Sequence, residues 1–185
     1  AFPLFSSMQG DKSRMKRGMG KAIQLVSLFV LPGMALLAAI AEPMILLLIG
    51  EKWQAAVPYL QSLCFVGMIY PLSAINLNLL AAIGRSDLFL RLEVIKKCLV
   101  VTNIAITYRY GVQVMIYGMI LTSVIALILN TFYTRKFINY DIIEQLFDLR
   151  CLIFLSFVIW AGAEFSVNYF AMSPLFSLLF AVLSG

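Results

Sequence analysis

The chain has 185 residues, of which 62% are hydrophobic and 12% are charged, against about half and about a quarter in soluble domains. This composition excludes an ordinary water-soluble globule. The net charge of +5 could suggest nucleic acid, but no base-reading module is present and the basic residues flank apolar segments, so we predict no nucleic-acid partner. The chain has no histidine and no CxxC pair, and no nucleophile–base pair is evident, so we predict neither enzymatic activity nor a metal or other cofactor.

Long segments without charged residues alternate with basic segments along the chain. A run of 18 or more such residues is typical of a membrane-spanning helix. We therefore predict an all-α, polytopic transmembrane helix bundle, with residues 1–20 as a cytoplasmic loop and residues 21–185 as the bundle of a longer protein. Five full spans and a truncated sixth fit the pattern: Lys21–Ala41, Ala55–Ile83, Leu88–Tyr108, Val112–Tyr133, Cys151–Phe170 and a segment beginning near Pro174.

The basic residues are distributed in the order that five crossings require. Twelve of the fourteen fall on one predicted side of the membrane, and only Lys52 and Arg109 fall on the other. Cytoplasmic loops carry the excess of lysine and arginine in membrane proteins. The sequence therefore predicts a multi-pass protein of a plasma membrane whose basic loops are cytoplasmic and whose surroundings are membrane lipid.

Two shorter apolar stretches do not fit a crossing. Met44–Ile49 follows Glu42-Pro43, and because proline restarts the chain at an angle, we expect an interfacial turn there. Apolar residues recur at helical spacing between Arg135 and Arg150, which favours an amphipathic helix on the membrane face.

The third span is unusual because it contains Arg91, Glu93, Lys96 and Lys97. Two interpretations are open. The basic side chains either extend to the cytoplasmic headgroups, with Glu93 and Lys97 paired at i,i+4, or line a hydrated cavity in the membrane. The second interpretation makes Arg91, Lys96 and Lys97 candidate substrate-binding residues.

Two other polar features lie inside predicted spans. Glu164 is the only charge after Cys151, and it is either a structural hydrogen-bonding group or a carboxylate that couples transport to a proton or cation. Ser73 and Asn76 follow Pro71 and share a helix face. They either contact a neighbouring helix or line a pathway, and Asn76 is therefore also a candidate for substrate binding.

Several motifs in the first half of the chain resemble those of a known family. They are Phe2-Pro3, Gln9-Gly10-Asp11, Leu31-Pro32-Gly33, Ala41-Glu42-Pro43, Gly50-Glu51-Lys52-Trp53, a span containing Pro71, and Gly84-Arg85-Ser86-Asp87. Together they resemble the polysaccharide exporters, the Wzx-type flippases of the multidrug/oligosaccharidyl-lipid/polysaccharide superfamily. The motif pattern covers about residues 2–88, and the remainder agrees in hydropathy and spacing.

This resemblance implies one lobe of a two-lobe alternating-access transporter in a bacterial inner membrane. The partners it implies are a lipid-linked oligosaccharide on polyprenyl pyrophosphate and an N-terminal lobe of the same protein that lies outside this sequence. Two alternatives stay open at this stage: a cation-coupled multidrug exporter of the same superfamily, and a non-transporting membrane scaffold subunit.

Overall fold

The computed structural model describes residues 12–171, and in this range every regular element is helical. We number the α-helices in chain order: α1 Lys12–Ala39, α2 Ala41–Leu48, α3 Val57–Ala82, α4 Ser86–Thr107, α5 Val112–Ile138 and α6 Ile142–Ala171. Two 3-10 turns, Glu51–Ala56 and Tyr108–Tyr110, precede α3 and α5. The all-α bundle predicted from the sequence is therefore confirmed, while the sixth predicted span, beginning near Pro174, lies outside the described residues.

Four segments are long and apolar enough to cross a membrane: α1, Glu51–Ala82, α5 and Ile142–Val167. The fifth long helix, α4, has 22 residues, which is sufficient for the hydrocarbon core of about 30 Å at a rise of about 1.5 Å per residue. Its sequence is not apolar enough for a membrane span, because it is interrupted by five charged residues: Asp87, Arg91, Glu93, Lys96 and Lys97. Its polar character distinguishes α4 from the other long helices.

Helix boundaries differ from the predicted spans at the basic ends. α1 begins at Lys12, so residues 12–20, predicted to be a loop, continue the first span as a helix. α5 extends to Ile138 and α6 begins at Ile142. The separate amphipathic helix predicted between Arg135 and Arg150 is therefore wrong, because its two halves continue the flanking long helices. The link between them is closed by Asn139 in the left-handed conformation.

The short elements agree better with the sequence. The apolar stretch after Pro43 forms part of the eight-residue helix α2, which leaves Leu47, Leu48 and Ile49 exposed. α3 ends before Gly84, whose φ of +81° favours glycine. Arg85 and Asp87 then form a two-point ion pair at 3.1 Å at the start of α4.

The long helices pack in the spatial order α6, α1, α3, α5, α4. The main hydrophobic core lies where α1, α3, α5 and the start of α6 meet; its members include Met19, Ile23, Leu79, Leu127 and Leu149. A smaller cluster of Leu77, Leu80 and Leu92 attaches α4. As a result α4 and α6 lie at opposite edges of the bundle, and α4 presents a largely uncovered face.

Candidate functional site

One face of α4 carries charged residues at helical spacing. Phe89, Glu93, Lys96, Lys97 and Val100 recur at intervals of three, four and one residues, so they share one stripe of the helix. Leu92 sets the orientation of this stripe, because it is 1% exposed and packs with leucines of α3. The stripe therefore faces along the surface of α3.

The stripe and α3 together enclose a groove of about 290 Å³, which we call the lysine groove. It is open to the surroundings and mixes two amines and a carboxylate with hydroxyl, amide and apolar groups. Its lining from α3 is Tyr70, Ser73, Ala74, Leu77 and Asn78, and its lining from α4 is Phe89, Glu93, Lys96, Lys97 and Val100. Both lysines predicted for a cavity thus line one.

A second cavity of about 200 Å³ adjoins the lysine groove and reaches α5; we call it the hydroxyl cavity. Tyr70, Ser73, Lys96 and Val100 line both spaces. Thr122 and Ser123 add hydroxyl groups from α5, and each donates a hydrogen bond to the carbonyl of Met119. Their oxygen lone pairs remain able to accept hydrogen bonds from a ligand. Lys96 therefore lies where the two spaces meet.

The charges in the lysine groove are unequally paired. Lys96 Nζ forms an ion pair with Glu93 Oε1, and the two side chains are 20% and 32% exposed. The pair predicted from the i,i+4 spacing, Glu93 with Lys97, is not formed. Lys97 is exposed and has no ion-pair partner among residues 12–171. The groove consequently carries one paired and one free ammonium group, with a net charge of +1.

Arg91 lies apart from these residues. It is exposed but lines neither cavity, because it is half a turn away from the groove stripe on α4. The structure therefore separates Arg91 from the two lysines with which the sequence grouped it.

Asn76 lies in the bundle interior and not on a cavity surface. It is fully buried, donates from Nδ2 to the carbonyl of Leu72 and to Gln145 Oε1 at 2.9 Å, and accepts from Gln145 Nε2 at 3.1 Å. Of the two interpretations of Asn76, the structure thus supports the contact with a neighbouring helix and corrects its assignment to the substrate site. The amide is already satisfied and has no accessible surface.

A polar layer extends from Asn76 across three helices. Thr134 of α5 donates to the carbonyl of Asn76, and Asn130 donates to the hydroxyl and the carbonyl of Ser73. The sequence did not single out Gln145 or Asn130. For Asn130 the available signal was an amide within an apolar segment, which in a membrane protein indicates an interhelical hydrogen bond. Gln145 follows Glu144 in a charged segment and gave no such signal.

Glu164 is on α6, at the opposite edge of the bundle from α4. Its side chain is partly buried, and Oε2 is buried without a hydrogen-bond partner among the described residues. It lines neither the lysine groove nor the hydroxyl cavity. The structure therefore does not bring Glu164 together with the cationic candidates.

The chain has several long apolar helices and a polar groove on an exposed face. It is a polytopic α-helical membrane protein. Its first 58 residues match a family described as "Polysaccharide biosynthesis protein". The chain is 29% identical over 136 residues to the lipopolysaccharide biosynthesis protein WzxC of Escherichia coli K12. It is 34% identical over 88 residues to the teichuronic acid biosynthesis protein TuaB of Bacillus subtilis. These matches confirm the resemblance to the Wzx-type polysaccharide exporters.

The similarity covers a limited part of each relative. The match to WzxC includes 73% of this chain and 28% of that protein, and the match to TuaB includes 48% and 18%. A membrane protein encoded in the cps region of Klebsiella pneumoniae is 33% identical over 51% of the chain, which is 20% of its own length. No solved structure matches the chain. The aligned part of the chain thus spans less than a third of these relatives.

Proposed function

We propose that the full-length protein moves a lipid-linked oligosaccharide, carried on polyprenyl pyrophosphate, from the cytoplasmic to the outer leaflet of a bacterial inner membrane. The observation that carries this proposal is the lysine groove, which places two ammonium groups beside hydroxyl and amide groups on an apolar bundle. Ammonium groups bind phosphate oxygens as point charges. Hydroxyl and amide groups provide hydrogen bonds that suit the hydroxyls of a sugar.

The similarity to proteins of lipopolysaccharide and teichuronic acid biosynthesis supports a polysaccharide precursor as the substrate. In this proposal the chain forms most of one lobe, and its uncovered α4 face lines a central cavity shared with an N-terminal lobe. Alternating access would then expose the lysine groove to one leaflet at a time. The protein acts as a transporter and not as an enzyme.

The test uses the full-length protein reconstituted in vesicles with a fluorescent lipid-linked oligosaccharide in both leaflets. A membrane-impermeant quencher removes the fluorescence of the labelled lipid in the outer leaflet. Labelled lipid from the inner leaflet is quenched as it crosses to the outer leaflet. We expect crossing to be faster than in protein-free vesicles and about tenfold slower in Lys96→Gln, since a hydrogen bond to a charged group contributes about 1.5–3 kcal/mol. Lys52→Gln, in the 3-10 turn before α3, is the matched control and should transport normally. Crossing no faster than in protein-free vesicles would refute the proposal.

A second candidate function is favoured by Glu164. A carboxylate oxygen that is buried without a partner among the described residues is suited to binding a proton or a cation. The cation-coupled multidrug exporter therefore remains the alternative proposal. In the same vesicles, an imposed proton or sodium gradient should accelerate dye export by the wild type and not by Glu164→Gln. Gradient-independent export, unchanged in Glu164→Gln, would count against this alternative.

A further inference from the structure

Of the described residues that line the lysine groove, Glu93 is the one with an acidic side chain. It belongs to the same stripe of α4 as both lysines, and it forms its ion pair with Lys96 at i,i+3. Leu92, the residue before it, is held in the interface with α3. The backbone of Glu93 is therefore held at the groove, and its side chain stays within reach of Lys96.

The position of Lys96 near the middle of the helix favours a counter-ion. Lys96 is ten residues from the start of α4, which is about 15 Å along the axis. An ammonium group at that depth is costly unless it is paired or hydrated. Because Glu93 and Lys96 are on the same helix, their ion pair can form in any arrangement of the other helices.

The same pairing affects any anion that enters the groove. Lys97 is exposed and has no ion pair within the part of the chain that the structure describes, so a phosphate group reaches it without breaking one there. Lys96 is occupied, so the phosphate gains its second ammonium contact only by displacing the carboxylate of Glu93. The two lysines thus differ in availability although they are neighbours in the sequence.

We infer that Glu93 is a built-in competitor for the anionic headgroup and determines how tightly the lysine groove holds it. The phosphate first contacts Lys97 and then exchanges with Glu93 for Lys96. When the anion leaves, Glu93 pairs with Lys96 again, so release does not leave the ammonium group of Lys96 unpaired. This inference rests on the proposed function for its substrate class. It assigns to Glu93 a role in the affinity and release of the headgroup that the basic residues alone do not provide.

The test measures binding of farnesyl pyrophosphate to the full-length protein in detergent, followed by transport in vesicles. Loss of the competing carboxylate in Glu93→Gln should raise the affinity about tenfold and slow transport, because release becomes limiting. Lys96→Gln should lower the affinity. The double variant Glu93→Gln/Lys96→Gln should bind more tightly than Lys96→Gln, since it lacks the carboxylate that would otherwise repel the phosphate or pair with Lys97 at i,i+4. Glu51→Gln, an exposed carboxylate in the turn before α3, is the matched control and should bind like the wild type.

The outcomes separate this inference from the proposed function. If Lys96→Gln weakens binding while Glu93→Gln binds like the wild type or more weakly, the inference is overturned and the groove remains the headgroup site. If neither variant changes binding or transport, the groove is not the headgroup site and the inference is overturned, whereas the proposed function fails only if the wild type moves lipid no faster than protein-free vesicles. If Glu93→Gln does not fold, Glu93→Asp replaces it, and its shorter side chain should give a smaller increase in affinity. An unchanged or reduced affinity in Glu93→Asp overturns the inference.

Discussion

At Gly118 of α5 the side chain of Asn103 from α4 occupies the space that a Cβ atom would take. A Cβ atom at this position would lie 2.6 Å from Cγ and 3.0 Å from Nδ2 of Asn103 on α4. Asn103 is 8% exposed and donates to the carbonyl of Met115 at 3.2 Å. A small residue beside a polar one is a typical arrangement for close packing of membrane helices. The pair therefore fixes the position of α4, and with it the lysine groove.

We expect Gly118→Ala to lower the stability of the full-length protein by about 1–3 kcal/mol, because the added methyl group displaces the Asn103 side chain from its hydrogen bond. Thermal unfolding in detergent measures this change. Gly162→Ala is the matched control, since a Cβ there meets nothing within 4 Å. It should be neutral or slightly stabilising. Equal stability of Gly118→Ala and the wild type would contradict the packing of α4 on α5.

Helical phase decides which charged residues of α4 reach the groove. The sequence alone predicted that charges must enter the membrane zone, and in the structure Lys96 and Lys97 line one groove. The sequence alone could not separate Arg91 from these two lysines, because it does not show which face of α4 meets α3. The spacing of Phe89, Glu93 and Val100 carried that information, and the buried Leu92 completes it. The spacing of residues around Asn76 could not predict its role, because its partner Gln145 is distant in sequence.

At the scale of elements, the basic start of α1 packs against the link before α6 and the acidic first turns of α6. Gly20 permits this approach, since a Cβ there would lie 3.3 Å from the hydroxyl of Tyr140. That hydroxyl donates to Asp148 Oδ2, and Lys16 Nζ contacts Glu144 Oε2 at 2.6 Å and the carbonyl of Asn139 at 3.0 Å. The short link between α5 and α6 is thereby attached to α1.

Burial and the neighbouring carboxylate of Asp148 raise the pKa of Tyr140 above its ordinary value of 10.0. Because the folded state holds this proton more tightly than the unfolded state, the stabilisation is complete below pH 10 and is lost as the pH rises further. We expect the melting temperature of the wild type to fall more steeply than that of Tyr140→Phe above pH 10. Parallel curves for the two proteins would show that the hydroxyl is not held in this buried contact.

The structure reveals why the ends of the elements were harder to predict than their centres. Charge-free runs located the central part of each long helix, but α1 continues through Arg14, Lys16 and Arg17, which the sequence assigned to a loop. These residues extend the helix because Met15 and Met19, on its other face, pack in the core. Hydropathy reports lipid contact and does not detect such extensions, which are stabilised by contacts between helices.

At the scale of the whole molecule, the basic segments converge at one end of the bundle. The guanidinium group of Arg85, between α3 and α4, lies over the ring of Phe137 at 5.5 Å, and Arg135 forms an ion pair with Asp141 at 3.0 Å. Lys16 joins the same end through Glu144. Lys52 and Arg109 are in the 3-10 turns at the other ends of the helices. The bundle therefore has one strongly basic end, which the positive-inside rule assigns to the cytoplasm.

This orientation predicts which positions a membrane-impermeant maleimide labels in intact cells. After Cys64, Cys98 and Cys151 are replaced by alanine in the full-length protein, single cysteines at Lys52 and Arg109 should react from outside. Cysteines at Lys12 and Lys136 should react only after the cells are permeabilised, because crossing the bilayer with these basic ends is unfavourable. Labelling of all four positions after permeabilisation is the control for accessibility. The reverse pattern would invert the orientation and place the basic end of the bundle outside, which would contradict the proposed direction of transport from the cytoplasmic to the outer leaflet.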